Sequence, residues 1–279
     1  MTTTTFTAIL WVGSFAAGIL GSLTGLGGGV VIVPFLTLGF GIDIRYAIGA
    51  SLVSVIATSS GAAAAFVSEG FTNVRVAMFL EVATTLGALA GAALAAYLNG
   101  NVIAVTFGAV LIYSSWGAVQ RHAPITADEK PDPLSRRLRL DGSFPEGESQ
   151  RRYLVRNVPG GFALMGAAGV LSGLLGIGSG ALKVLAMDRV MKIPYKVSSA
   201  TSNFMIGVTA AASAGVYLKR GYLDPGLAMP VMLGVLAGAL LGARILVKAP
   251  ARVLRIVFAL VVFALGIEMI RSGLSGHIQ

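Results

Sequence analysis

The chain has 279 residues, 55% of them hydrophobic and 12% charged, and its mean hydropathy is +0.82. Soluble domains carry about 25% charged residues, so a water-solvated globule is excluded, and the solvent expected is a bilayer, which asks for about 20 apolar residues per crossing helix. The net charge of +9 lies mostly at the ends of apolar runs, where membrane topology rather than nucleic acid accounts for it; with no cysteine, and only His122 and His277 outside those runs, neither disulfides, a metal centre nor any other cofactor is expected.

No basic segment precedes the first apolar run, so no cleavable leader is expected. Residues 6–38 are apolar but broken at 21–29 by Gly25-Leu26-Gly27-Gly28-Gly29, which predicts two short helices, each marginal for crossing alone. After a loop over 39–46 with Asp43 and Arg45, a helix rich in small residues is expected over 47–67. A loop with Glu69 and Arg75 follows, then helices over 76–98 and 101–120. Residues 121–158 are of another kind, with eight Lys/Arg, six acids and four prolines, and read as a solvated linker with a short basic helix near 134–140. Apolar residues resume over 160–187, broken at Gly176–Gly180. A polar loop from Asp188 to Lys196 follows, and helices are expected over 198–218, 226–246 and 253–271. Trp11, Tyr113, Trp116, Tyr217 and Tyr222 fall toward run ends, as an interfacial belt requires.

The two halves align at a constant offset of 151: Gly25, Gly27 and Gly29 with Gly176, Gly178 and Gly180, Arg45 with Lys196, Ser51 with Ser202, Gly87 with Gly238 and Gly91 with Gly242. Gapless register over this span reads as an internal repeat, the usual build of secondary transporters. If each broken run crosses the membrane, the repeats are parallel and twelve cations face seven. If each is a re-entrant hairpin, three crossings remain per half, the repeats are inverted, and fifteen cations on the linker side face four. The positive-inside bias favours the second arrangement, with the linker in the cytoplasm and both termini outside. The fold expected is an all-α polytopic membrane protein of two homologous four-segment halves: residues 1–120, a polar linker 121–158, and residues 159–279.

In lipid, non-helical backbone survives only against protein or a water-filled cavity. Glycine permits left-handed backbone and close approach, and helix N-termini attract anions. Two facing breaks would therefore make an anion site from Gly27, Gly28, Gly29, Gly178, Ser179 and Gly180. Close helix packing through glycine is the plainer alternative. Lys183 lies deep in an apolar run, where a lysine costs about 3 kcal/mol unless paired or solvated. It either meets the anion's charge or snorkels to an interface. Ser51, Thr201, Ser202 and Asn203 are candidate substrate donors, or else helix caps. Glu81 is the deepest acid and the candidate proton-coupling group. Asp43, Arg244 and Glu268 read as interfacial anchors. No hydrolytic triad and no ATP-binding loop is present, so neither an enzyme nor an ATP-driven pump is indicated.

Three stretches carry a family resemblance: Gly25-Leu26-Gly27-Gly28-Gly29 with Val33-Pro34, Gly176 through Val184, and Ala200-Thr201-Ser202-Asn203-Phe204-Met205-Ile206-Gly207. Together they resemble the sulfite exporter family of the TauE/SafE type. That resemblance implies an inner-membrane carrier, commonly an exporter, of sulfur-containing anions such as sulfite, sulfoacetate or related sulfonates. The chain departs from the pattern at Ser179, where glycine is usual, and at Leu185, where a proline matching Pro34 is expected. Alternating access between the repeats is the expected mechanism. An uncoupled anion channel and a membrane sensor or scaffold are the alternatives. The partners expected are a small anion and the bilayer; oligomeric state stays open, a homo-oligomer included.

Overall fold

The computed structural model describes residues 3–22, 28–68, 70–119, 132–146, 149–248, 251–276 and 278. It is mostly helical. Helix α1 (Thr3–Ser22) leads through the first break to α2 (Gly29–Phe40), followed by α3 (Ile44–Ser68), α4 (Val74–Ala95) and α5 (Gly100–Val119). The linker holds α6 (Pro133–Leu138) and an antiparallel hairpin of β1 (Gly142–Glu146) with β2 (Ser149–Tyr153). Then come α7 (Val158–Leu175), α8 (Gly180–Leu185) running into a π-turn at Ala186–Val190, α9 (Tyr195–Lys219), α10 (Pro225–Lys248) and α11 (Ala251–Leu274). Residues Gly25, Leu26, Gly27, Glu69, His122 and His277 lie outside the described residues, as does the side chain of Arg244.

Helix starts repeat at the offset of the sequence: 29 with 180, 44 with 195, 74 with 225 and 100 with 251. Five helices among the described residues are long and apolar enough to cross a membrane. Their outward faces are apolar, with Met78, Val82 and Leu86 exposed one turn apart on α4 and Met229, Leu233 and Leu240 exposed on α10. Water would penalise such a surface; lipid tails would not.

The extensive helix pairings join the two halves: α4 with α7, α1 with α10, α5 with α11 and α3 with α9. Swapping the halves maps this set onto itself. Glycine makes the pairings close. A Cβ on Gly91 would sit 2.0 Å from the Val170 carbonyl oxygen, and one on Gly173 2.0 Å from that of Ala88. The α1–α10 seam has the same character, with Gly238 equally tight against the Phe15 carbonyl. In the α5–α11 pair, Gly273 lies by Asn101, Gly266 by Gly108, and Ser115 donates to the Ala259 carbonyl, so these equivalent helices run in opposite directions. The α3–α9 pair does likewise, with Gly207 of α9 against Ser59 and Gly49 against Tyr222, just past the end of α9.

At each break the chain turns back on itself. Gly13 of α1 faces the Phe35 ring and Phe6 meets Phe40 edge-on at 5.5 Å, so α2 returns along α1. Gly161 of α7 lies against Met191, whose carbonyl accepts from the Arg156 N–H at 3.0 Å. The arms are unequal. Helix α1 has 20 residues, more than its expected half of a broken run, whereas α2 has 12. Both return arms are irregular at matching positions, by Pro34 in α2 and by the π-turn that follows Leu185 in α8.

The linker is more than a solvated tether. Its hairpin was not anticipated, because Gly142–Tyr153 is short and polar, and only Phe144 and Tyr153 give it an apolar face. Leu140, Phe144, Tyr153 and Val155 are buried against Val76, Leu80 and Met187 in a second core beneath the helices. Asp132 caps α6 and also accepts from the Val158 N–H at 2.9 Å, while Asp141 accepts from the Val155 N–H at 2.8 Å. Asn73 caps α4, donates from its side chain to the Leu140 carbonyl and the Tyr153 hydroxyl, and donates its own N–H to Thr201. Burial pushes the Tyr153 phenol up to about 12, so it stays neutral at this junction.

Candidate functional site

The second break is built from left-handed backbone. Gly176 has φ +68°, Gly178 +67° and Ser179 +47°. Glycine adopts this freely, but a serine there costs about 1 kcal/mol or more. Gly176 ends α7, its N–H donating to the Ser172 carbonyl at 2.8 Å. Tyr217 braces the same end, donating to the Gly173 and Leu174 carbonyls at 3.1 and 3.3 Å. Tyr217 is thus fully buried and does not belong to the interfacial belt, unlike Trp11, Tyr113 and Trp116, which are exposed.

The two breaks meet. A Cβ on Gly29 would lie 3.2 Å from the Gly176 carbonyl oxygen and 2.6 Å from the Ser51 hydroxyl. Ser51 donates to that same carbonyl at 2.8 Å. Its counterpart Ser202 donates to the Gly180 carbonyl at 3.3 Å. Each serine hydroxyl has one hydrogen, and both hydrogens are given to the second break. These paired serines thus hold its carbonyls in place. Thr201 accepts from the Asn73 N–H at 3.0 Å and Asn203 donates to the Ser199 carbonyl at 3.1 Å, so neither is brought to the break by these bonds.

Ser179 is different. It is 3% exposed and its hydroxyl has no hydrogen-bond partner among the described residues. With Gly180, Leu182, Val30, Val110, Ser114 and Ile177 it lines a cavity of about 10 Å3, the room of a single water. A buried hydroxyl without a partner costs roughly 1–3 kcal/mol, on top of the strained backbone. Two unfavourable features on one residue at a buried break mark a position where something other than stability is served.

Lys183, one turn further along α8, has no exposed surface. It does not snorkel. Its Nζ donates to the Thr209 hydroxyl of α9 at 2.5 Å, and that hydroxyl donates to Oε1 of Glu81 on α4 at 2.6 Å. Thr85 donates to the same carboxylate oxygen at 3.2 Å, while Oε2 of Glu81 is buried without a partner among the described residues. The lysine and the deepest acid, which the sequence left unconnected, thus form one bridged pair across three helices. Thr209 is the residue that sequence reading missed, since one threonine in a small-residue helix carries no distinguishing signal. Of the other charges, Asp43 pairs with Arg45 at 3.5 Å. Arg45 also reaches the Ala95 and Leu98 carbonyls and so closes the end of α4. Glu268 is exposed on α11.

Chemically, the region offers one buried ammonium, one buried carboxylate and a free hydroxyl beside a break, with no residue cluster fit to hold a metal among the described residues. This is equipment for holding a small ion. Residues 10–269 match the family described as Sulfite exporter TauE/SafE. Curated relatives cover nearly the same span. A probable membrane transporter protein of Bacillus subtilis, YunE, is 28% identical over 273 residues, covering 95% of this chain and 98% of its own. A second from that organism, YdhB, is 27% identical over 242 residues, covering 86% and 91%. A probable membrane transporter protein of Xylella fastidiosa is 26% identical over 259 residues, covering 92% and 90%. No solved structure matches the chain. With the apolar crossings, the buried charge and a match along nearly the whole length, the chain belongs to the sulfite exporter TauE/SafE family and is a multi-pass membrane transporter.

Proposed function

We propose that the protein is a secondary transporter, working as an exporter in the inner membrane, for sulfur-containing anions such as sulfite, sulfoacetate or related sulfonates. The anion is held where the two breaks meet. The observation that carries this reading is Lys183: a fully buried ammonium, one turn from a strained serine with a free hydroxyl, in the break that both halves share. A lysine in such surroundings is expensive; Glu81 meets it only through the Thr209 hydroxyl, which leaves a transported anion room to become its direct partner. Sulfite and sulfonates present three oxygens that need donors. Lys183, Ser179 and the backbone of Gly28, Gly29, Gly178 and Gly180 supply them.

The halves are proposed to sit in the bilayer in opposite orientations, with residues 121–158 in the cytoplasm and both termini outside. The opposed runs of α5 and α11 and the cation bias support this. Lengths agree as well. Return arms of 12 residues and of about 11 residues reach roughly 18 and 16 Å at 1.5 Å per residue. Entering from opposite faces, they would meet near the middle of a core about 30 Å thick. Alternating access then moves one half against the other around that point.

The test is a thermal-shift panel on purified protein with sulfite, sulfate, thiosulfate, sulfoacetate and simple carboxylates. A saturable upward shift is expected with one or more of the sulfur anions and none with carboxylates of similar size. A panel that is flat throughout, or led by the carboxylates, would falsify the substrate class. Orientation is tested separately by single cysteines in this cysteine-free chain. Positions 100 and 274 should label from one face of the membrane and position 140 from the other; labelling of 140 and 274 from the same face would make the repeats parallel.

A further inference from the structure

The bridge between Lys183 and Glu81 has a property that neither charge has alone. Thr209 has one hydroxyl hydrogen and two acceptors in reach, Oε1 of Glu81 at 2.6 Å and the Met205 carbonyl at 2.9 Å. While the Lys183 ammonium donates to the hydroxyl oxygen and Glu81 is a carboxylate, that hydrogen belongs to Glu81. Give the carboxylate a proton, and the hydrogen can turn to Met205, leaving the ammonium without a counter-charge. The vacant oxygen Oε2 of Glu81, buried and without a partner among the described residues, is where that proton can sit.

We propose that Glu81, Thr209 and Lys183 form a proton-for-anion switch: an anion takes Lys183 only when a proton has taken Glu81, so the two cross together. This rests on the reading of Lys183 as the anion's counter-charge. The charge balance carries it. Empty, the site holds one carboxylate and one ammonium and is neutral. Loaded with a singly charged anion alone, it would hold one uncompensated negative charge inside the helices, an arrangement costing several kcal/mol. Loaded with that anion and a proton on Glu81, it is neutral again. No covalent bond changes; the proton enters from water on one side and leaves to water on the other. A negative charge in excess is thus what forbids the anion from moving without its proton.

Few other charges can interfere. On α4 the neighbours of Glu81 are Thr84 and Thr85, and α7, packed against α4, has no titratable side chain from Val158 to Leu175. Helix α9 brings Thr209, its titratable residues Tyr195, Lys196, Tyr217 and Lys219 being two or more turns away. Helix α5, beside α8, offers only the exposed Tyr113. The nearest further charges along the chain are Arg75, exposed at the start of α4, and Asp188 and Arg189 in the π-turn. One proton per anion, moving in the same direction, is the stoichiometry expected. Export then runs while the outward anion gradient exceeds the inward proton gradient, a factor of about ten in concentration per pH unit.

Methanesulfonate is the probe, because it carries a single negative charge that stays constant between about pH 5.5 and 8.5, having no carboxylate or other group that titrates there. Binding to the native protein should weaken with rising pH, approaching tenfold per unit where Glu81 titrates. In liposomes, uptake should carry protons inward at one per anion and be driven uphill by an acid exterior. In Glu81→Gln, which keeps the shape and holds a permanent neutral group, binding should lose its pH slope and uptake its response to the pH gradient. A slope that persists in Glu81→Gln overturns the switch, as does native binding that is flat with pH; the native measurement needs no variant to fold. Absence of methanesulfonate and sulfite binding at every pH overturns the anion reading and the switch with it, whereas methanesulfonate binding without a slope overturns the switch alone.

Discussion

Lys183→Met should abolish anion binding: its melting temperature is expected to stay fixed across the panel, whichever sulfur anion moves that of the native protein. Methionine keeps much of the lysine's length and removes its charge, so the break should still close. The substitution also leaves Glu81 buried with its two threonine donors and no counter-charge. Removing one member of a buried pair costs about 3 kcal/mol, so the mutant should melt earlier in buffer alone. Adding Glu81→Gln removes the other charge and should return most of that stability while returning no binding. These two outcomes separate a functional lysine from a structural one. If Lys183→Met still responds to the anions, the lysine serves only as an internal counter-ion and the binding groups lie elsewhere.

A second large effect concerns the seams between the halves. Gly173→Leu and Gly238→Leu should each prevent stable folding, seen as loss of the monodisperse peak after detergent extraction and a melting temperature too low to measure. A Cβ at either position would stand 2.0 Å from a backbone carbonyl of the opposing helix, which no rotamer change relieves. Forcing a side chain into such a contact costs about 3 kcal/mol or more, and the backbone separation needed would reach the break through α7. Gly117→Leu is the control. A Cβ there meets nothing within 4 Å and the position faces outward, so stability should change by less than about 0.5 kcal/mol. Equal tolerance at Gly173 and Gly117 would mean that the close pairing of α4 with α7 is not what holds the halves together.

Much of this arrangement was legible in the sequence, for physical reasons. Lipid demands long apolar helices and confines charge to their ends, so composition alone gave the spans within a few residues. The offset of 151 was readable because glycines that touch a backbone cannot be exchanged for other residues, and so keep their register in both halves. The π-turn after Leu185 was not legible, although the missing proline there was noticed. A helix can be interrupted by losing a donor, as at Pro34, or by widening a turn, and only the first leaves a mark in the amino-acid type. Nor was the fate of the paired serines. A hydroxyl in a small-residue helix reads the same whether its hydrogen goes to a ligand or to a carbonyl, and Ser51 and Ser202 spend theirs on the break. Lys183 and Glu81 were each singled out by depth, but 102 positions separate them in the chain. What joins them is Thr209, on a third helix.

Asn73 gives the linker a thermodynamic voice. One residue caps α4 in the first half, bonds Thr201 in the second, and holds both Leu140 and Tyr153 of the linker. Any displacement of the halves that parts Asn73 from Thr201 must be offset by something of comparable strength, about 1 kcal/mol for each bond left unmade. Reciprocity follows if the halves move as proposed. Whatever grips the linker alters the equilibrium between the arrangements of the two halves, and each arrangement in turn alters how firmly the linker is gripped. A tether would transmit nothing of this; a docked hairpin makes whatever binds the linker a party to the conformational equilibrium.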